Sequence, residues 1–249
     1  MIYVTVPGDT VSSISRQSGV PVWKIIYDNQ LGEEGELTVG QALLLLKPQE
    51  SAEIREDLYV TGYAYPFIEP YVLEMAFPAL NELLVFSYGF TFEGELVPPI
   101  QDETWMIQLA WENGIEPMLV LTPFTQGVFN NQLIQTLVEE ESVRENVITN
   151  LLKVVEEKGY VGVDVDFEYV RAQNREGYAE FVGELRAAMN EKGYRVSVAL
   201  APKTSSDQKG LLYEGIDYAL LGEQADRLFL MTYEWGYSYG PPMAVAPLT

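Results

Sequence analysis

The chain has 249 residues, of which 47% are apolar and 21% charged, and its formal net charge is −22. This composition is typical of a globular protein, and the negative charge argues against nucleic acid or an anionic membrane as a partner. The chain has no histidine and no cysteine, which excludes Ser-His-Asp and Cys-His catalysis, zinc sites built on those residues, and disulfides. If the chain is an enzyme, its acid and base are carboxylates, tyrosine or lysine.

The start of the chain carries no targeting pattern. Met1 leads directly into patterned sequence, without the basic start, apolar core and cleavage site of a signal peptide. No stretch is long and apolar enough for a transmembrane helix. We therefore expect no membrane insertion, and a chain that either is made without a secretion signal or begins after one.

Residues 1–48 predict a compact βααβ module. The predicted elements are strand Ile2–Val6, a helix capped by Thr10 and ended at Gly19, a second helix from Pro21, and strand Ala42–Leu46. The module precedes a polar and charged interval, residues 49–57, which predicts a linker.

The run Tyr3-Val-Thr-Val-Pro-Gly-Asp-Thr10, with Asn29 and Gly40-Gln41 further on, resembles a LysM module. LysM modules bind glycans that contain N-acetylglucosamine, such as peptidoglycan and chitin. The resemblance implies a contact surface on two loops, formed by Gly8, Asp9 and Thr10 in the first loop and by Tyr27, Asn29 and Leu31 in the second. The alternative is a small spacer whose glycine and asparagine residues serve only turns.

In residues 58–249, short apolar runs alternate with helical segments, which is typical of a parallel sheet or barrel. The predicted strands are Tyr59–Tyr65, Leu83–Phe90, Glu116–Pro123, Gly162–Tyr169, Arg195–Ala201 and Arg227–Tyr233. The predicted helices are Asp102–Gly114, Asn130–Glu141, one from the capping box Ser142-Val-Arg-Glu145 to Gly159, and Asn174–Gly193. A complete (β/α)₈ barrel has eight such units. We therefore predict an α/β fold of the TIM-barrel type that is truncated after about six units, with its first and last strands as open edges.

Three acidic residues in the fourth predicted strand alternate with apolar ones. The acids are Asp164, Asp166 and Glu168, and the apolar residues are Val163, Val165 and Phe167. Alternate side chains of a strand share a face, so neighbouring acids would lie roughly 6–7 Å apart. Acids in an apolar central strand indicate a functional site. A solvated polar face or a site for Mg²⁺ or Ca²⁺ is the alternative, although the valines argue against a solvated face.

The run Gly162-Val-Asp-Val-Asp-Phe-Glu168 resembles the Asp-Gly-x-Asp-x-Asp-x-Glu signature of the family-eighteen glycoside hydrolases, which are chitinase-like barrels. Val161 replaces the first Asp of that signature. The resemblance implies substrate-assisted hydrolysis with retention, without a metal or cofactor. Glu168 would protonate the glycosidic oxygen, and Asp166 would orient the 2-acetamido group of the substrate. Asp164 would share a proton with Asp166, because adjacent carboxyls resist ionising together.

Other segments extend this resemblance. Met231-Thr-Tyr-Glu234 is similar to the family's Met-x-Tyr-Asp element, which implies that Tyr233 bonds the acetamido oxygen and that Met231 and Glu234 lie at the substrate site. Aromatic residues near the ends of the first two predicted strands are expected to stack on sugars, with core packing as the alternative: Tyr63, Tyr65, Phe86 and Tyr88. The family's Ser-x-Gly-Gly element on the third strand is replaced by Leu121-Thr-Pro-Phe124.

Ala199-Leu-Ala-Pro-Lys203 and the residues after Met231 resemble a spore-associated branch of the family, the LysM-bearing cortical-fragment-lytic and germination proteins. This resemblance implies N-acetylglucosaminidase action on spore-cortex peptidoglycan and a location at the spore surface, cortex or coat of an endospore-forming bacterium. The alternatives are a chitinase and a non-catalytic glycan-binding or spore-coat protein. Sequence leaves open cortex against vegetative peptidoglycan, endo against exo cleavage, and oligomeric state.

Overall fold

The structure is a computed structural model that describes residues 1–32, 35–46, 58–125, 128–234, 236, 239–241, 243 and 245. The described residues form two compact units, one within Met1–Glu56 and Thr232–Thr249 and the other within Asp57–Met231. The predicted linker 49–57 lies outside the described residues. The domain boundaries 1–48, 49–57 and 58–249 therefore stay predictions.

The first unit contains a βααβ module, and this element order confirms the prediction. Its elements are β1 (Ile2–Val4), α1 (Val11–Ser18), α2 (Val22–Asp28) and β2 (Ala42–Leu44), and the two strands pair antiparallel. The predicted start and stop of α1 are also confirmed. Thr10 and Ser13 exchange two hydrogen bonds of 3.0 Å in a capping box, and Gly19 ends the helix at φ 73°, a left-handed conformation that glycine adopts without strain.

The second unit alternates strands and helices. Its elements are β3 (Thr61–Ala64), α3 (Pro70–Ala76), a 3₁₀ turn (Phe77–Ala79), β4 (Glu82–Phe90), β5 (Leu96–Val97), α4 (Thr104–Glu112), β6 (Glu116–Leu121), β7 (Phe124–Thr125), β8 (Val128–Phe129), α5 (Asn131–Glu139), α6 (Glu141–Lys158), β9 (Gly162–Val165), a 3₁₀ turn (Ala172–Asn174), α7 (Arg175–Asn190), β10 (Arg195–Leu200), α8 (Tyr218–Gln224) and β11 (Arg227–Leu230). All six predicted strands are present, with shifted ends.

These six strands form one parallel sheet in the order β3-β4-β6-β9-β10-β11, and the short strand β5 pairs antiparallel with the end of β4. The sheet is strongly curled. In a flat sheet its outermost strands, β3 and β11, would lie about 24 Å apart. The ring centroids of Tyr63 on β3 and Phe229 on β11 are instead only 5.4 Å apart. One face of the sheet is therefore concave.

The two faces of the sheet carry different residues. The convex face packs on the helices and contributes to the main core, for example through Val85, Leu119 and Val163. The concave face holds a small apolar cluster around Leu84 and Met118 and, beyond it, the polar residues described below. The hydrophobic alternation of the strands thus separates a structural face from a face available for function.

The capping box predicted at Ser142-Val-Arg-Glu145 is wrong. The N-cap of α6 is Glu140, and no side chain caps this helix. Helix α5 ends at Glu139, so the chain turns at a single residue and α6 begins too early for Ser142 to serve as its cap. The predicted end is confirmed, because Gly159 adopts φ 80° there.

Within the described part of the chain, no helix combines the length and the apolar character needed to cross a lipid bilayer.

Candidate active site

The three carboxylates lie at the carboxyl end of β9, a strand with sheet neighbours on both sides. The strand ends at Val165, so only Asp164 belongs to it, and Asp166 and Glu168 lie in the segment that directly follows. The predicted alternation nevertheless continues, since Val165 and Phe167 both join the core on the helix side. In parallel α/β sheets this edge is where functional side chains gather.

Asp164 is completely buried and is held by two hydroxyl groups. The Tyr63 hydroxyl donates to Oδ2 over 2.8 Å, and the Ser197 hydroxyl donates to Oδ1. Burial raises the pKa of Asp164 to about 6, although both hydroxyl groups favour its charged form. Ser197 was not predicted as a site residue. The sequence does show a polar residue inside the apolar strand Arg195–Leu200. Only the strand register, which pairs Ser197 with Asp164, indicates that it contacts this carboxylate.

Asp166 is also buried, in a less favourable environment than that of Asp164. Only 6% of the residue is exposed, and within the described chain its Oδ1 has no hydrogen-bond partner. Its backbone N–H donates to the Leu121 carbonyl over 2.9 Å, which fixes this part of the chain against β6. Burial, followed by the negative charges of Asp164 and Glu168, raises the pKa of Asp166 to about 8. At neutral pH Asp166 therefore retains its proton, whereas Asp164 is mostly ionised.

Glu168 differs from the aspartates because it is only half-buried. The next residue, Tyr169, adopts φ 58°, a left-handed conformation that is uncommon for a bulky side chain. The chain thus turns sharply directly after Glu168. A buried pair of carboxyls, one of which retains its proton, next to an accessible third carboxyl can combine proton transfer with stabilisation of a positive charge.

The four aromatic residues predicted to stack on sugars fall into three environments. Tyr65 is 47% exposed and contacts half-buried Phe86, with ring centroids 4.8 Å apart. Tyr63 binds Asp164 through its hydroxyl. The stacking role predicted for Tyr88 is wrong: this residue is 3% exposed in the main core, and its hydroxyl donates to Glu103 over 2.5 Å. An irregularity in β4 between Val85 and Tyr88 shifts the register and turns Tyr88 towards the helices.

The predicted strand to Tyr233 is too long. Strand β11 ends at Leu230, and the N–H of Met231 donates to the Leu200 carbonyl over 2.9 Å. Tyr233 and Glu234 group with the first compact unit, and Glu234 adopts φ 58°. The roles assigned to Met231, Tyr233 and Glu234 stay predictions.

The six residues predicted to bind glycan in the first unit serve partly to build its loops. Asp9 accepts hydrogen bonds from the Tyr3 hydroxyl and the Val6 N–H, over 2.9 and 2.7 Å. Asn29 donates to the Ile25 and Leu44 carbonyls and accepts from the Leu44 N–H. The remaining members are Thr10, which caps α1, Leu31, which packs on the module's core, Gly8 at φ 92°, and Tyr27, which is 53% exposed.

The described residues contain no cluster of three or more acidic side chains that could hold a metal ion.

A curled parallel sheet with carboxylates at the carboxyl end of a central strand is the arrangement of α/β-barrel enzymes. Comparison with known families agrees. Residues 127–248 match the model of the glycosyl hydrolases family 18, and residues 3–45 match that of the LysM domain. The chain therefore combines a LysM domain with a family 18 glycosyl hydrolase region.

Several similar proteins come from Bacillus. The cortical fragment-lytic enzyme of Bacillus subtilis (strain 168) is 37% identical over 174 residues, which are 70% of this chain and 40% of that protein. The putative sporulation-specific glycosylase YdhD of the same strain is 26% identical over 248 residues, which are 100% of this chain and 58% of that protein. The crystal structure of the Bacillus cereus spore cortex-lytic enzyme SleL matches with a TM-score of 0.71 and 31% identity, covering 99% of this chain and 57% of that one. The chain thus spans about half the length of these relatives.

Proposed function

We propose that this chain belongs to a glycoside hydrolase that cleaves after N-acetylglucosamine in peptidoglycan, by the substrate-assisted retaining mechanism of its family. The observation that carries the proposal is the buried pair of carboxyls, Asp164 and Asp166, of which Asp166 retains its proton at neutral pH, next to the accessible carboxyl of Glu168. The similarity to proteins named cortical fragment-lytic and spore cortex-lytic enzyme supports cortex peptidoglycan as the substrate.

In the first step, the carbonyl oxygen of the substrate's 2-acetamido group attacks the anomeric carbon, and Glu168 gives its proton to the departing glycosidic oxygen. A positively charged oxazolinium forms. In the second step, Glu168 accepts a proton from water as the water oxygen attacks the anomeric carbon. The oxazolinium ring opens and the acetamido group is restored. The configuration at the anomeric carbon is retained.

The two aspartates act on the intermediate. Asp166 orients the acetamido group and, as an anion, stabilises the oxazolinium once its proton has passed to Asp164. Asp164 suits that exchange because it is buried, and its two hydroxyl donors hold it in one orientation. Tyr233 is assigned the hydrogen bond to the acetamido oxygen, by its place in the Met-x-Tyr element.

The LysM domain is assigned the role of holding the enzyme on its polymer, peptidoglycan or a chitin-like chain, at the spore surface, cortex or coat. Among the predicted contacts, we assign glycan binding chiefly to Gly8 and to the exposed Tyr27, since the side chains of Asp9 and Asn29 support the loops. We further propose an eight-stranded barrel as the form in which this six-stranded sheet acts, because SleL extends well beyond the region matched here.

The test compares the unaltered chain with Glu168→Gln on purified cortex fragments, followed by intact-mass analysis of the products. We expect products ending in reducing N-acetylglucosamine from the unaltered chain and none from the variant. Glu145→Gln, an exposed position on α6, is the matched control and should leave the products unchanged.

All three proteins should pellet with the polymer, because the LysM domain is the same in each. Undiminished hydrolysis by Glu168→Gln would contradict the assignment of the acid. Pelleting without any products from the unaltered chain would favour a non-catalytic glycan-binding function instead.

A further inference from the structure

The chain between β10 and α8, residues 201–217, follows the carboxyl end of a strand that pairs with β9. We call it the β10–α8 loop. It lies at the same edge of the sheet as the three carboxylates, because the strands are parallel. The loop begins within the run Ala199-Leu-Ala-Pro-Lys203, to which the proposed function gives no role.

The two ends of the β10–α8 loop are bonded to each other. The half-buried Lys203 donates from Nζ to the Ile216 carbonyl over 2.9 Å and to the Ser206 carbonyl over 3.1 Å. The Tyr218 hydroxyl accepts a hydrogen bond from the Lys203 N–H over 2.9 Å and donates to the Ala201 carbonyl over 2.6 Å. The first and last residues of the loop are thereby joined, so the loop has a defined shape of its own.

The loop contacts the segment after Glu168 through a buried glycine. A Cβ atom at Gly215 would lie 2.5 Å from the carbonyl carbon of Val170 and 2.7 Å from its Cβ, and closer still to the carbonyl oxygen. Non-bonded carbon atoms pack at about 3.5–4.0 Å. The two backbones are therefore in direct contact, and only a residue without a Cβ atom fits here.

Both sides of this contact are held in place. Arg175, the first residue of α7, donates from Nε and Nη2 to the carbonyl of Glu214, the residue before Gly215, over 2.9 and 2.5 Å. Arg171, the residue after Val170, donates to two side chains of α5 over 2.8 and 3.1 Å. The segment after Glu168 is thus fixed by α5 as well as by the β10–α8 loop.

The fixed segment determines where Glu168 lies. Phe167 and Val170 both belong to the main core, and only Glu168 and Tyr169 connect them. Tyr169 adopts the left-handed conformation at φ 58°. A two-residue connection with a sharp turn has little freedom, so a displacement of Val170 also displaces the carboxyl of Glu168.

We propose that the β10–α8 loop positions Glu168, with Gly215, Arg175 and Lys203 as positioning residues for the reaction. This inference rests on the proposed function. A general acid must lie within hydrogen-bond reach of the glycosidic oxygen, and a misplacement of about 1 Å can reduce the rate on the order of 10²-fold. The three residues act through Val170 and not through contact with the substrate.

The first test is Gly215→Ala in the full chain, assayed on purified cortex fragments. The added Cβ atom must displace Val170 and the turn before it. We expect kcat to fall by about 10- to 100-fold and KM to stay within about twofold, since the acid acts in the transition state and not in binding. Thermal unfolding identifies any loss of folded protein. The control is Gly222→Ala on α8, where a Cβ atom would make an ordinary contact of 3.6 Å with Leu228.

The second test weakens the loop without adding an atom that overlaps. Lys203→Met and Arg175→Met remove the hydrogen bonds to the Ile216 and Glu214 carbonyls, and each should lower kcat by about tenfold with little change in KM. Arg175→Lys keeps a donor and should recover most of the loss.

Arg186→Met is the control for Arg175→Met. Arg186 is an arginine nearer the other end of α7, and it also bonds a carbonyl of α8, that of Glu223, over 3.2 Å. It lies away from the carboxyl edge, so kcat should be unchanged in this variant.

Crystal structures of the unaltered chain and of Gly215→Ala provide a measurement that does not depend on activity. We expect Val170 and the Glu168 carboxyl to move by about 1 Å relative to β9, because packed atoms must separate to make room. A shift confined to the β10–α8 loop, with Glu168 in place, would overturn the proposal, as would a kcat equal to that of the parent in both Gly215→Ala and Lys203→Met. Failure of the proposed function gives a different result: the unaltered chain forms no products, while the crystal structures still decide whether the loop positions Glu168.

Discussion

The two ends of the curled sheet both bury carboxylates, but they treat them in opposite ways. At the amino-terminal end, Glu82 is 2% exposed and is bonded to Arg195 and Arg227 over 3.1 and 3.0 Å. At the carboxyl end, neither Asp164 nor Asp166 forms an ion pair within the described chain. A buried charge normally requires a partner. The end without such partners is therefore the one where the protein retains a proton for chemistry, on Asp166.

The charged residues at the amino-terminal end also stabilise the curled shape of the sheet. Arg195 bonds Glu116 over 2.6 Å as well as Glu82, and the Tyr59 hydroxyl donates to the same Glu116 oxygen over 2.7 Å. The guanidinium of Arg227 lies 4.7 Å from the centroid of the Tyr59 ring. These contacts join residues at the starts of β4, β6, β10 and β11, so the cluster links strands that are distant in the sheet.

The largest effect on activity is expected at the carboxyl end of the sheet, from a substitution of Asp166. Asp166→Asn keeps the size of the side chain but removes its charge, and should reduce hydrolysis of cortex fragments by about 10²- to 10³-fold, since the anion stabilises the intermediate. The variant should remain folded, because a neutral amide is easier to bury than a carboxylate. Steady-state rates and circular dichroism measure the two effects. A folded variant with the activity of the parent would remove Asp166 from the mechanism.

At the amino-terminal end, where Glu82 is ion-paired, we expect a substitution to change the stability of the protein. Glu82→Gln leaves two arginines without their shared anion, and we expect it to lower the free energy of unfolding by about 2–4 kcal/mol, measured by urea denaturation. The control Glu116→Gln is partly exposed and should cost about 1 kcal/mol or less. Activity per folded molecule should be unchanged in both. A large loss of activity in a fully folded Glu82→Gln protein would contradict the contrast between the two ends.

The sequence predicted the main architecture because its signals are long and periodic. Each of the six strands of the parallel sheet overlaps a predicted one, and the alternation through Phe167 is correct even though β9 ends at Val165. The short strands were missed. Two residues in β5, or in each arm of the Phe124–Phe129 hairpin, have no periodicity that a pattern could register.

The candidate site was less predictable, because part of it depends on pairing between strands. Ser197 reaches Asp164 only because the register of β9 and β10 pairs these two residues. Tyr88 was assigned to the wrong face because strand irregularities have no reliable sequence signal. By contrast, the three acids were found from spacing alone, since an acid in an apolar strand conflicts with its surroundings.

The contrast between the two ends of the sheet also predicts how the stability of the protein depends on pH. Burial raises the pKa of Asp166 in the folded state, so unfolding releases a proton between the ordinary aspartate pKa near 4 and a pH of about 8. Stability should therefore decrease as the pH rises through this interval. Asp166→Asn lacks this proton release. The free energy of unfolding of the variant minus that of the parent should therefore be larger at pH 8 than at pH 5. Denaturant titration at both pH values measures this difference. A constant difference would show that Asp166 has an ordinary pKa.

The smallest effect is expected for Tyr63→Phe, which removes the 2.8 Å hydrogen bond to Asp164 and should cost about 1 kcal/mol of stability. The lost donor favoured the charged form of Asp164, so the pKa of Asp164 should rise further. The acid limb of the pH–activity profile should then move to higher pH, which a purely structural change would not produce. Ser197→Ala should move it in the same direction, because its hydroxyl group donates to the other oxygen of the same carboxylate. If neither variant moves the acid limb, Asp164 does not share the catalytic proton, and Asp166 must exchange it with another group.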